Sequence, residues 1–146
     1  MERTKISNIF GKDPRTKEYI LGNTSMAFIS SPYKYTTEQE LKLNVSIARA
    51  MCYYAMMQGY APFASHLLYT QFLNEDIIEE RNLGINLGRE FLLYSEIMYH
   101  YEVSEHSEGA TRDILLAEKY CIPVQILRFE HISEYIDRFD SPWTKY

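Results

Sequence analysis

Ser107 to Ile114 reads SEGATRDI, a polar stretch whose groups are spaced for chemistry. Glu108 and Asp113 bracket Gly109 where an amphipathic helix is expected to begin, and Arg112 stands beside the second carboxylate. Acidic groups at a helix N-terminus sit in the favourable field of its unpaired amides. Each is therefore either a helix-end carboxylate or part of a site, where it would accept a sugar hydroxyl. Arg112, in the first turn, carries the planar fork that suits a phosphate. A second group lies in ISSPY, where Ser30, Ser31 and Tyr33 follow an apolar run. Small side chains there let a ligand reach the backbone, and the hydroxyls can bond a phosphate or sugar. The alternative is an ordinary strand-to-helix turn. His66, in SHLLYTQF, reads as a structural loop histidine or a ligand contact. Arg81 reads as part of a solvated helix face with Glu79, Glu80 and Arg89, or as a phosphate partner.

These residues need elements to place them. MAFISS (Met26 to Ser31) has the compact apolar character of a buried parallel strand. Thr37-Glu38-Gln39-Glu40 is a capping box, and Leu41, Val45, Ala48, Cys52, Ala55 and Met56 then recur at helical spacing until Gly59. YAPFA (Tyr60 to Ala64) is a second short strand, and SHLLYTQFLNED a loop longer than a simple connector. Ile77 to about Leu93 is helical, with charges on one face and Ile78, Leu83, Leu87 and Phe91 on the other. EIMYHY (Glu96 to Tyr101) is the third strand. A helix from near Gly109 and a strand after Ile122-Pro123-Val124 follow, and EHISEYIDRF closes the chain as a helix.

This alternation predicts an α/β fold: a Rossmann-like parallel sheet of four to five strands with helices on both faces. Ligands in such sheets bind past the carboxyl ends of the strands, where the strand order reverses. Those ends hold Ser30 to Tyr33, Ser65-His66 and Val103 to Gly109. Residues 1–24 read as an irregular extension and 25–128 as the α/β domain. Residues 129–146 read as a helix and tail docked on the core or on a neighbouring subunit.

Composition narrows the function. A formal charge of −5 and a pI near 5.4 argue against a nucleic-acid polymer as partner. No apolar segment is long enough to span a membrane, and the N-terminus lacks the apolar core of a signal peptide, so a cytoplasmic setting is expected. Cys52 and Cys121 are expected to be buried reduced thiols. His100 and His106 match no zinc spacing, and there is neither a Walker loop nor GxGxxG, so no metal or cofactor is expected. Thirteen tyrosines suit cores, interfaces and ligand stacking alike.

Taken together, ISSPY, GYAPFASHLLYTQFL, IEERNLGINLG and SEGATRDI resemble the nucleoside 2-deoxyribosyltransferase-like superfamily, in particular its uncharacterised bacterial and phage members. The likeness runs from about Met26 to Leu127. It implies a flavodoxin-like sheet, a nucleoside- or nucleotide-derived ligand, and a homo-oligomer in which neighbouring chains complete the pocket. It makes Gln71, with Phe72, a candidate for contact with the base. It also places a nucleophilic carboxylate four residues beyond the glycine of the last motif, at Asp113. Such a group attacks the anomeric carbon and divides one hard displacement into two.

The chain departs from that pattern at four positions. Ser107 stands where the family's enzymes carry an acid, Asn82 where they carry an aspartate, and Phe28 where a tyrosine supports the nucleophile. Asp113 is itself one methylene shorter than the family's glutamate, and a misplacement of about 1 Å can cost ~10²-fold in rate. The resemblance therefore implies a retained pocket with little or no turnover, as in a phage protein that sequesters a nucleotide immune signal of the ADP-ribose kind. The alternative is a nucleoside or nucleotide N-glycosidase or 2-deoxyribosyltransferase with Asp113 as nucleophile.

Overall fold

The apolar run before Ser31 becomes an inner strand of a four-stranded, wholly parallel sheet. The computed structural model describes residues 22, 24–103, 108–136 and 138, with the backbone alone for 108–110. The elements are β1 (Met26–Ser30), α1 (Glu38–Met57), β2 (Ala61–Phe63), α2 (Ser65–Leu68), α3 (Ile78–Leu93), β3 (Ile97–Tyr101), α4 (Glu108–Lys119), β4 (Val124–Leu127) and α5 (Phe129–Ile136). The spatial order is β2-β1-β3-β4. The expected α/β fold with helices on both faces of a parallel sheet is therefore the fold observed. Nearly all of the expected extension, and the tail beyond residue 138, lie outside the described residues.

Alternation along the strands divides the core into two layers. Ala27 and Ile29 point to one face, where they pack with Ile47, Ala50, Met51 and Ala55 of α1 and Ile132 of α5. Phe28 points to the other, with Met98, Leu92 of α3 and Ala117 of α4. The short closing helix docks through rings: Tyr135 lies 4.8 Å from Tyr53, and His131 meets Tyr54 edge-on.

The helix ends follow from local chemistry. Thr37 Oγ1 accepts from the Glu40 amide at 3.1 Å, but the Glu40 carboxylate reaches back one residue further than a reciprocal box requires, to the amide of Thr36 at 2.8 Å. At the other end Gly59 takes φ +91° and donates to Met56, while Tyr60 donates to Ala55. That paired closure of a helix by a left-handed residue satisfies two orphan carbonyls. α4 closes identically, with Cys121 donating to Glu118 and Ile122 to Ala117. Cys121 occupies the left-handed position at φ +57° and is exposed, so only Cys52 is a largely buried thiol. The helix stop holds Cys121 outward, which periodicity did not indicate.

Two other expectations need correcting. The loop after β2 contains α2 and a 3-10 turn, Tyr69–Gln71, because its backbone groups lie against α3 and must pair. And α3 does not bury its apolar stripe. Ile78, Leu83, Leu87 and Phe91 are exposed, whereas Gly84, Gly88 and Leu92 form the buried face. A Cβ on Gly88 would stand 2.7 Å from Ser65 Cβ, and one on Gly84 3.0 Å from Leu73 Cδ1. The helix approaches α2 and the 3-10 turn at a distance only glycine allows.

Candidate functional site

The chain steps from β1 to β2 on one side and then crosses back to β3 on the other, so the strand order reverses between β1 and β3. Ser30 and His100 are paired in register at that point. Ser30 Oγ lies 2.9 Å from His100 Nδ1, and both residues are buried. Asp113, in the second turn of α4, reaches the same place. Its carboxylate accepts from Arg89 Nε of α3 at 2.9 Å and from the Ser30 hydroxyl. The Arg89 and Asp113 side chains are only 18% and 17% exposed.

The proton order of this network follows the His100 tautomer. The Ser30 hydroxyl can donate to Asp113 while accepting from His100, or donate to His100 itself, according to which ring nitrogen of His100 carries the proton. Burial pushes the Asp113 carboxyl up from its ordinary value, while the hydrogen bond and charge of Arg89, and then Ser30, pull it back. The result is a largely buried carboxylate held in one position by a guanidinium and a hydroxyl.

A second cluster forms at the ends of β1 and β2. The Tyr33 and His66 rings stack at 4.3 Å, and the Arg81 guanidinium lies 5.1 Å from the Tyr33 centroid on the same assembly. The Tyr33 hydroxyl donates to Glu75. Burial first, and then that carboxylate, raise the phenol well above its usual range. A cavity of about 250 Å³ opens beside the stack, between the chain after β1 and the first turns of α1.

Burial, and then the charge of Arg81, push His66 down to about 4. A histidine whose folded value is depressed contributes stability that is present above its unfolded value near 6.5 and is lost as pH falls towards 4. Since the ring is only partly enclosed, about 1 kcal/mol is expected across that window. Urea midpoints should therefore fall between pH 6.5 and 4 more for wild type than for His66→Gln. Parallel curves would show that His66 protonates without cost.

The residues singled out from the sequence thus fall into several places. Ser30 and Asp113 meet each other, and Tyr33, His66 and Arg81 meet each other. Arg81 lies over a tyrosine ring rather than on an open helix face. Ser31 Oγ is buried and meets no hydrogen-bond partner among the described residues. Gln71 ends the 3-10 turn and is exposed, as is Arg112 on α4. Glu108 begins α4, which puts Gly109 in its first turn; Ser107 lies outside the described residues. Phe28 is buried in the core beside Phe63, and Asn82 is exposed on α3.

Arg89, His100 and Glu75 complete the two clusters, and sequence reasoning did not assign them to a site. His100 left a usable signal, because a polar residue near the carboxyl end of an apolar strand must find a polar partner. Arg89 and Glu75 left none.

The comparison with known families agrees with the extent of this sheet. A family described as a domain of unknown function, DUF7768, matches residues 25–127, and the chain belongs to that family. No curated protein and no solved structure matches the chain. Among the described residues, no helix is long and apolar enough to cross a membrane.

Proposed function

We propose that the chain binds a nucleotide-derived small molecule at the carboxyl edge of its sheet, with little or no turnover. The ion pair between Arg89 and Asp113 carries this reading. A nucleophilic carboxylate needs an exposed lone pair aimed at carbon. Asp113 is instead largely buried, with its carboxylate drawn onto the Arg89 guanidinium and towards the Ser30 hydroxyl. The Ser31 hydroxyl, one residue past β1 and without a hydrogen-bond partner among the described residues, supplies a hydrogen-bonding group for a ligand. The ligand class rests on the motif resemblance to nucleoside 2-deoxyribosyltransferase-like proteins. A chain that holds such a molecule intact suits sequestration of a nucleotide signal.

Incubation with nucleosides, deoxynucleoside monophosphates and ADP-ribose derivatives, followed by denaturation and mass spectrometry, tests the reading. Wild type should return the bound molecule unchanged. Asp113→Asn keeps the shape and an acceptor for Arg89, so it should alter affinity by about 1 kcal/mol. Free base released catalytically by wild type, and not by Asp113→Asn, would replace this reading with a glycosidase.

A further inference from the structure

We propose that the cavity of about 250 Å³ between the chain after β1 and α1 receives a planar heteroaromatic ring bearing an exocyclic amino group, with Glu75 as the acceptor that selects it. The inference rests on the small-molecule reading above and names the part of the ligand that this chain would recognise.

Size comes first. A dry cavity of about 150 Å³ holds a benzene ring, so the present volume has room for one or two fused rings. Its walls are suited to a flat, largely apolar body. Leu41, Val45 and Ala48 recur at helical spacing on α1 and line the cavity together with Tyr33 and Tyr35 from the chain after β1. Aromatic and aliphatic walls of this kind hold a ring by stacking and exclusion of water.

Polarity then narrows the choice. Glu75 is the only acidic or basic side chain apart from His66 among the lining residues, and burial keeps His66 neutral at pH 7. A phosphate placed there would meet the Glu75 carboxylate directly, whereas the Arg81 guanidinium stands beyond the lining residues, over Tyr33. The anionic part of a nucleotide therefore belongs outside. Glu75 is a prepared acceptor. It sits in a turn closed by Asn74, whose Oδ1 accepts from the Asp76 amide at 3.0 Å and whose carbonyl accepts from Ile77 at 3.1 Å. The Tyr33 hydroxyl fixes the carboxylate by donating to it. A carboxylate offers about four lone-pair sites, so one such bond leaves capacity for a ligand N–H. Asn44 also lines the cavity; one N–H of its Nδ2 goes to the Lys34 carbonyl at 3.0 Å, which fixes the amide and leaves its oxygen as an acceptor. Of the other polar groups on the lining, the Thr70 hydroxyl already donates to the His66 carbonyl, so the carboxylate and the amide oxygen favour a ring that donates. A free ammonium group is a poorer occupant, because the Arg81 guanidinium already stands over Tyr33.

The test compares adenosine, cytidine and guanosine with uridine and thymidine, measured by calorimetry on the full chain. The amino-bearing nucleosides should bind wild type at least tenfold more tightly than the oxo-only ones, the size of one hydrogen bond to a charged group. Glu75→Gln, which can donate as well as accept, should reduce that ratio to near one. Val45→Phe fills the slot from a partly exposed helix position and should abolish binding of every nucleoside. Circular dichroism would verify that both variants fold. Wild type that binds all five equally, or binding that survives Val45→Phe, would overturn the assignment and leave the broader reading standing. If no nucleoside or nucleotide binds at millimolar concentration, and none is released from freshly purified protein, both fail together.

Discussion

Arg89→Met should lower the stability of the fold by about 3 kcal/mol at pH 7, the low end of the cost of stranding one member of a buried ion pair. The low end applies because the two side chains keep 18% and 17% of their exposure. Methionine preserves much of the packed length of arginine, so the loss measures charge rather than a cavity. The pH dependence fixes the cause. Burial already pushes Asp113 up, and removing Arg89 removes the main forces that bring it down. A carboxyl whose folded value is raised contributes stability that is full below its unfolded value and disappears as pH rises through the folded value. The deficit of Arg89→Met should therefore be small near pH 4 and grow towards pH 7. Pairing Arg89→Met with Asp113→Leu removes both charges and should restore most of the loss. Urea unfolding of wild type and the two variants gives the answer from midpoints, provided the slopes agree. A deficit below about 1 kcal/mol at pH 7 would place the pair among ordinary surface bridges and weaken the argument that Asp113 is locked.

The contrast between what was legible in the sequence and what was not has a physical pattern. The sheet was legible because its signals are local. Apolar runs at Met26 and Ile97, the cap at Thr37 and the stop at Gly59 each act within a few residues. The strand order β2-β1-β3-β4 was not read from the sequence, because it depends on which strands pair across the chain. The site depends on coincidences of the fold. Ser30 and His100 are 70 residues apart and meet because β1 and β3 are neighbours; Arg89 and Asp113 are 24 apart and meet because α3 and α4 share a face. Asp113 stood out through its place in a motif, whereas its partner Arg89 sat among the charges of a helix that looked solvated. Glu75 was hidden for a related reason: its role depends on the turn that aims it, and on a tyrosine more than forty positions earlier in the chain.

The misread face of α3 leads to the second large effect. Periodicity weighs side chains, so it favoured Leu83, Leu87 and Phe91, and glycine carried no weight. Gly88 is nonetheless where the backbone of α3 comes nearest to α2. Alanine there gains about 0.5–1 kcal/mol from helix propensity. It also brings Cβ to 2.7 Å from Ser65 Cβ, a contact neither atom can escape without backbone movement. Overpacking of this kind costs about 1–3 kcal/mol. With two Cβ atoms in direct conflict, Gly88→Ala should lose a net 2 kcal/mol or about that. Gly84→Ala is the internal control. Its nearest neighbour is the flexible end of Leu73 at 3.0 Å, which can rotate away, and Tyr69 Cβ at 3.3 Å has only a few tenths of an ångström to give, so the net loss should stay below about 1 kcal/mol. The displacement should also reach the site. Ser65 precedes His66, and moving α2 outward separates His66 from Tyr33, which now lies 4.3 Å away. Gly88→Ala should therefore raise the depressed His66 value towards 6.5, as its ring becomes more accessible, while Gly84→Ala leaves it unchanged. Histidine titration by NMR, combined with urea midpoints, reads both effects. Equal stability of the two variants would show that α2 yields without strain, and the close approach of Gly88 would then have no part in holding the ring stack.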